Sequence, residues 1–307
     1  MATVLITGGT GMVGKHLTQL LVVKGYEVII VSRSATKNRP HAKVSYAMWD
    51  IEKQEIDAQA IVKADHIIHL AGAGVADKKW TTERKQEIKE SRTKSSATIV
   101  TALQQLPNNV QTVVSASAIG WYGADTPESL AKGFTENAPA DSEFLGETCR
   151  LWEQSIEPVS QLGKRLVKLR IGIVLSNDGG ALAEFKKPLQ FGIAGILGNG
   201  KQVVSWIHIE DLCRLFVSAI ENLGLRGVYN AVSGNPVTNK QLTIALAKIT
   251  RSSFYIPMHV PTFVLKMMLG ELSVEVLKSA TVSNKKIQDA GFKYTYPTIK
   301  EALESLK

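Results

Sequence analysis

The run Thr7-Gly8-Gly9-Thr10-Gly11-Met12-Val13-Gly14 constrains the fold of this chain more than any other feature. It follows an apolar stretch, Val4-Leu5-Ile6, and leads into Val13-Gly14-Lys15-His16-Leu17-Thr18-Gln19-Leu20-Leu21. That order reads as strand, glycine turn and helix start. Glycines 9, 11 and 14 satisfy G-x-G-x-x-G, and glycines 8, 11 and 14 also give G-x-x-G-x-x-G. One glycine makes the tight turn, one lets backbone approach a pyrophosphate, and the last lets the helix lie close on the strand. A helix N-terminus offers free N–H groups and a positive dipole end to phosphates. The expected site is therefore one for a dinucleotide, held by Gly8, Thr10, Gly11, Met12, Val13 and Gly14.

The next apolar run, Glu27-Val28-Ile29-Ile30-Val31, ends in Ser32-Arg33-Ser34. An acidic residue about 20 positions past the glycines would hold an adenosine ribose 2′-OH and favour NAD. None stands there. Arg33 does, flanked by serine hydroxyls at Ser32 and Ser34 and followed by Lys37 and Arg39. A guanidinium takes a phosphate through two parallel hydrogen bonds, so the sequence favours NADP(H) over NAD(H). The competing reading of Arg33 is a solvated basic loop.

Short apolar runs at 3–7, 27–32, 43–48, 65–70, 111–116 and 165–175 alternate with helical patterns at 13–24, 57–63, 82–105 and 142–161. Such alternation predicts βαβ units and a doubly wound parallel sheet covered on both faces. Beyond about residue 176 the texture changes. Asn177-Asp178-Gly179-Gly180 and Gly198-Asn199-Gly200 punctuate the chain. Helical patterns recur at 180–191, 210–222, 239–250, 262–278 and 298–306, with short strands at 203–207, 227–231 and 253–256. The expected organisation is a cofactor-binding domain over 1–176 and a smaller C-terminal α+β substrate lobe over 177–307, with 227–231 a candidate to return to the main sheet.

Composition narrows the setting. No apolar run reaches the ~18 residues that span a membrane. The opening Met-Ala-Thr-Val-Leu-Ile-Thr has no basic segment before its apolar one, so no export signal is expected. Cys149 and Cys213 lack metal or redox spacing, which suits a reducing cytoplasm. No metal site is predicted. The net charge of +8 is spread over scattered lysines and arginines without interleaved stacking aromatics, so an anionic cofactor and a basic surface account for it better than nucleic acid does. The expected partner is a small molecule, neither nucleic acid nor membrane. Oligomeric state is not written in the sequence, and a homodimer stays open.

Further candidates sit where the strands end. His69-Leu70-Ala71-Gly72-Ala73-Gly74 closes the fourth strand with small residues, so Leu70, Ala71 and Gly72 are placed against a cofactor. Asp50, after the third strand, would accept from an adenine amino group or else hold a turn. Ser115 and Ser117 end the fifth strand beside the presumed nicotinamide, as does Tyr122 a few residues on. Either hydrogen bonding to a substrate or ordinary turn chemistry fits them.

The order TGGTGMVG, VSRS, HLAGAG, SASAIGWYG and LRIGIVLSNDGGAL resembles the extended short-chain dehydrogenase/reductase superfamily. More narrowly it resembles the atypical, epimerase-like YfcH-type family. Trp206-Ile207-His208-Ile209-Glu210-Asp211-Leu212 after Gly198-Asn199-Gly200-Lys201-Gln202 strengthens the match, as does the tail with Gly291-Phe292, Tyr296-Pro297 and Glu301-Ala302-Leu303. The likeness spans essentially the whole chain. It implies a Rossmann-type domain, an NADP(H) site, a substrate lobe, and a place for Arg92 near the cofactor, where it either contacts phosphate or stands as an exposed helix cation.

One departure matters. Members of that superfamily carry Tyr-x-x-x-Lys on the helix after the serine strand, the Tyr as general acid/base and the Lys to lower its pKa and hold the ribose. Here the helix reads Glu143-Phe144-Leu145-Gly146-Glu147-Thr148-Cys149-Arg150-Leu151-Trp152-Glu153, which puts Leu145 and Cys149 in those places. Ser117, Tyr122 and His208 are the candidate catalytic residues in their stead, with Glu147 and Asp211 as further proton carriers. Two readings follow: an NADP(H)-dependent oxidoreductase or epimerase acting on a small polar metabolite, and a catalytically silent NADP(H)-binding regulator or sensor.

Overall fold

A computed structural model describes residues 1–34, 42–252 and 254–307. Lys37 and Arg39 lie outside the described residues. The first strand, β1 (Thr3–Thr7), is buried along its whole length. It pairs in parallel with β2 (Glu27–Ser32) on one side and β5 (His66–His69) on the other. Outward from β2 come β3 (Val44–Asp50) and the antiparallel β4 (Glu55–Ile56). Outward from β5 come β6 (Thr112–Ala118) and β7 (Arg165–Ile171), both parallel.

Alternation along β1 builds two hydrophobic layers, because successive side chains leave opposite faces of a strand. Val4 and Ile6 enter one core and Leu5 the other. The first core takes Leu17 and Leu21 from α1 (Met12–Val23). The second takes Ala60 and Ile61 from α2 (Ala58–Lys63) and Ile99 and Leu103 from α3 (Thr82–Gln105). After β6 a 3-10 turn, Ile119–Trp121, leads to α4 (Pro127–Lys132) and α5 (Phe144–Ile156). The pattern at 142–161 is two helices, since Pro158 opens α6 (Pro158–Gln161) and cannot continue the ladder of α5.

The predicted strand at 165–175 also divides. At Gly172 a Cβ would lie 2.6 Å from Ser205 O and 2.7 Å from Val232 Cγ1, so neighbouring segments close over the backbone there. The chain leaves the main sheet and forms β8 (Ile173–Leu175), followed by α7 (Gly180–Leu189), β9 (Ile193–Leu197), β10 (Val203–Val204) and β11 (Trp206–His208). β8 pairs in parallel with β11. Helix α8 (Ile209–Glu221) then lies beside α1, and β12 (Gly227–Ala231) pairs in parallel with β7. The remaining chain gives β13 (Val237–Thr238), α9 (Asn239–Arg251), β14 (Ile256–Val260), α10 (Thr262–Leu269), α11 (Leu272–Leu277), α12 (Lys285–Asp289) and α13 (Ile299–Ser305). β13 pairs with β10 and β14 with β9. The pattern at 262–278 breaks at Gly270, whose φ of 61° is left-handed. Among the described residues the main sheet runs β12-β7-β6-β5-β1-β2-β3-β4. It is a Rossmann-type arrangement, and no described helix is long and apolar enough to cross a membrane.

Candidate functional site

The strand order reverses between β1 and β5, so the loops leaving these two neighbours diverge and open a crevice at the carboxyl edge of the sheet. The glycine turn stands at that crevice. Gly8 has φ 71°, and a Cβ there would sit 3.0 Å from the Leu70 carbonyl carbon and from Ala71 N. A Cβ on Gly14 would lie 2.5 Å from both Gly8 O and Gly9 Cα. Two loops and a helix are thus drawn together as closely as backbone allows. Gly11 caps α1 without a side chain, leaving the N–H groups of the first turn, at Met12, Val13 and Gly14, open toward the crevice. The exposed Thr10 lies at the tip of the turn. Gly8, Gly11 and Gly14 thus form a cradle that side chains would fill, with unspent N–H donors at its floor. It fits a pyrophosphate.

The facing loop is fixed from below. Thr7 Oγ1 accepts from Leu70 N at 3.2 Å and Ala71 N at 3.3 Å, and lies 2.7 Å from His69 Nδ1. His69 is wholly buried, and that burial, with Arg92 nearby, pulls its pKa down to about 3. It is a neutral, structural imidazole. Arg92 lies under Gly72, where a Cβ would be 3.1 Å from its Cζ. Its Nη1 donates to Ala73 O at 3.0 Å and Ile88 O at 2.8 Å, and the guanidinium is 5.0 Å from the Trp152 ring. Arg92 is therefore a half-buried group at the crevice and not a solvated helix cation.

At the far end of the crevice, the exposed Arg33 lines a cleft together with Trp49, Asp50 and Ile51. Ser32 Oγ donates to Ser34 O. Asp50 is the last residue of β3, and its Oδ1 accepts from Glu52 N at 3.0 Å and Lys53 N at 3.1 Å. The carboxylate holds the β3–β4 turn. Ser115 Oγ, buried in β6, donates to Ala116 O.

The three candidate catalytic residues are placed elsewhere. Ser117 is buried and donates to Glu153 Oε1 at 2.7 Å. Tyr122 has no exposed surface, donates to Asn230 Oδ1 at 2.6 Å and accepts from Arg170 Nη1 at 3.1 Å. Burial pushes its phenol up to about 12. Both belong to a closed network around Arg170, which meets Glu153 through Nε at 2.8 Å and Nη2 at 3.1 Å. His208 is the N-cap of α8: Nδ1 accepts from Glu210 N, and Nε2 lies 3.1 Å from Ser305 Oγ. Trp206 is fully buried and donates to Asn235 O. Asp211 accepts from Thr295 N and Tyr296 N, and Glu147 is clamped by Arg150. Each of these groups is hydrogen-bonded within the protein, and none of them lines the cavity beside β6.

A cavity of about 410 Å³ lies between the end of β6 and the segments of the C-terminal part. Ala118 lines it from the end of β6, Ile119 and Gly120 from the 3-10 turn that follows, and Leu145, Thr148, Cys149 and Trp152 from α5. Leu145 and Cys149, at the positions where the sequence resemblance would expect a Tyr-x-x-x-Lys pair, both line this cavity. A Cβ on Gly120 would meet Leu145 Cβ at 3.2 Å and Cys149 Sγ at 3.7 Å. Burial pushes the Cys149 thiol up to about 12, so it stays protonated and inert. Glu275 and Lys278, which the sequence reading passed over, also line the cavity. The available signal was a Glu-x-x-Lys spacing, two polar residues on an otherwise apolar helix end.

Comparison with known proteins accords with this geometry. The profile of the NAD dependent epimerase/dehydratase family matches residues 4–144, and that of a domain of unknown function matches residues 260–306. The chain is 34% identical to the Bacillus subtilis Epimerase family protein YfhF, over 99% of this chain and 97% of that one. The crystal structure of human epimerase family protein SDR39U1 with NADPH superposes with a TM-score of 0.86 at 26% identity, covering 99% and 98% of the two chains. A UDP-N-acetylglucosamine 4-epimerase from Methanobrevibacter ruminantium shares the fold, with a TM-score of 0.80 at 16% identity over 99% and 96%.

Proposed function

The chain belongs to the NAD dependent epimerase/dehydratase family, in its atypical short-chain dehydrogenase/reductase branch, and on that premise we propose that it binds NADP(H) and carries out oxidoreductase or epimerase chemistry on a small molecule. The glycine cradle at the strand-order reversal is the observation that carries this reading. Gly8, Gly11 and Gly14 would admit the pyrophosphate, and Met12 and Val13 would donate to it. Arg33 supports the 2′-phosphate assignment, as does the NADPH held by the human relative.

Bound nicotinamide supplies hydride chemistry. The chain's own contribution is position and exclusion of water: Ile119, Leu145 and Trp152 give the cavity apolar walls. The partner we propose is thus a small metabolite with apolar surface, neither nucleic acid nor membrane. A second reading, a cofactor-binding regulator without turnover, is supported by the sequence reading that sets Leu145 and Cys149 in the places of the superfamily Tyr and Lys, and by the burial that pushes the Cys149 thiol up to about 12.

The test is an equilibrium titration with NADPH and with NADH, read by nicotinamide fluorescence, followed by a metabolite screen for NADPH consumption. NADPH binding at least about tenfold tighter, 1.4 kcal/mol, is expected. Binding of neither nucleotide overturns both readings, and tight binding with no turnover on any metabolite selects the regulator.

A further inference from the structure

Lys278 and Glu275 form an ion pair in the wall of the cavity. Nζ lies 2.7 Å from Glu275 Oε2 without the geometry of a hydrogen bond, and the two side chains are only 11% and 15% exposed. An ammonium carries three donors, and a buried donor left unspent is costly. Several other polar atoms lining this space are occupied. Thr148 Oγ1 donates to Phe144 O, Ser205 Oγ to Ala280 O, and Asn239 Oδ1 accepts from Leu197 N. A second lining residue, Trp152, also has a buried donor without a partner, its Nε1–H. The described lining residues therefore leave donors over, and Lys278 and Arg92 against Glu275 leave positive charge over.

The chain on either side of Lys278 is tied down. The neighbouring Ser279 Oγ donates to Asp125 Oδ2 at 2.7 Å and accepts from Val203 N at 2.8 Å. Thr281 donates to Asp125 through both N and Oγ1. At the start of α11, Glu271 is paired with Lys85 of α3. An ammonium so placed is aimed, in contrast to the snorkelling lysines of an open surface.

We infer that Lys278, held by Glu275, is the substrate-recognition group of this cavity, and that its ligand is a small, largely apolar molecule bearing a carboxylate. The inference rests on the proposed function for what lies beside that ligand, but its test reads Lys278 directly. The carboxylate would take donors that the protein leaves unspent, while the apolar remainder lies on Ile119, Leu145 and Phe185.

The probes are hexanoate and 1-hexanol, of equal apolar length, titrated into the protein with and without NADPH and followed by tryptophan fluorescence. Hexanoate is expected to bind saturably and at least about tenfold tighter than hexanol. Lys278→Met removes that preference, Lys278→Arg keeps most of it, and hexanol and NADPH affinities stay within about threefold in both. Because Lys278→Met strands the Glu275 carboxylate, the double variant Glu275→Gln/Lys278→Met is run beside it and shows the same loss. Equal binding of hexanoate and hexanol, absence of hexanoate binding, or hexanoate affinity unchanged in Lys278→Met overturns the inference. Failure of NADPH to bind overturns the proposed function instead, and the hexanoate–hexanol difference in cofactor-free protein still decides Lys278.

Discussion

Ser117 donates its hydroxyl to Glu153 Oε1 at 2.7 Å inside the core, where the same carboxylate also takes Arg170. This joins the end of β6 to α5 and β7. The serine is thus a support of the strand end and not a group reaching for substrate. Ser117→Ala is expected to cost about 2 kcal/mol of stability, the scale of a hydrogen bond to a charged acceptor. NADPH affinity should barely change. Urea denaturation and a nucleotide titration check this; unaltered stability would show that Ser117 does not support the strand end.

Gly14→Ala is expected to abolish detectable NADPH binding. The added methyl would stand 2.5 Å from Gly8 O and from Gly9 Cα, and both are backbone atoms with no rotamer to yield. Relief requires the cradle to open, which moves the N–H groups of α1 away from a phosphate. Calorimetric titration of a variant that circular dichroism shows to be folded is the measurement, and binding within about threefold of the parent would contradict the cradle.

The glycine cradle and the parallel sheet were legible because each rests on a local pattern. Val4, Leu5 and Ile6 are all buried, and an uninterrupted apolar run flanked by glycines is what a doubly covered strand looks like. Helix α3 was legible to the residue because Thr81 caps it and no glycine or proline interrupts it. The breaks at Gly172 and Gly270 were not, since a single glycine within a periodic run does not say whether the chain bends. β9 was hidden by the glycines around it, and among the described residues pairs only with β14, some sixty residues on. The site followed the same division. The glycine cradle lies within one strand–turn–helix, but Ser117 and Tyr122 were read from their place at and just after the end of β6 alone. Their partners Glu153, Arg170 and Asn230 come from three other elements, and only folding brings them near.

Arg33 bears on nucleotide choice. It is exposed at the cleft shared with Asp50, with the hydroxyl-bearing Ser32 and Ser34 on either side. Arg33→Ala should weaken NADPH by about tenfold or more, or about 1.4 kcal/mol, and leave NADH nearly untouched, because only NADPH carries the 2′-phosphate. Parallel titrations decide it. Equal losses for both nucleotides would place Arg33 outside 2′-phosphate recognition.

His69 makes stability depend on pH. Its folded-state pKa is pulled down to about 3, first by burial and then by Arg92, against 6.5 for a free imidazole. Between those values the unfolded chain binds a proton that the folded chain refuses. Stability is therefore fully present above pH 6.5 and declines as pH falls toward 3, by up to about 1.4 kcal/mol per pH unit. His69→Asn keeps a side chain able to meet Thr7 and cannot titrate. Its urea midpoint should fall less steeply than that of the parent from pH 6.5 to 4. Parallel curves for the two proteins would show that His69 is solvated in the native state.

The sequence resemblance sets Cys149 against the superfamily lysine, and its thiol tells the two proposed readings apart from a third, a cysteine-based reaction. The group is 5% exposed, and burial pushes its pKa up to about 12 even though Arg92 pulls the other way. A thiolate is the reactive form, so the native protein should resist iodoacetamide at pH 8 and react fully once unfolded. Cys213, pushed up to about 12 by burial and by Glu210, should behave alike. Cys149→Ser keeps the volume nearly constant and is expected to leave NADPH affinity, and any turnover the screen uncovers, within about threefold. Alkylation of Cys149 in the folded protein with loss of turnover would mean that the thiolate is reached in the working state, and proton or group transfer at this position would then have to be assigned to sulfur.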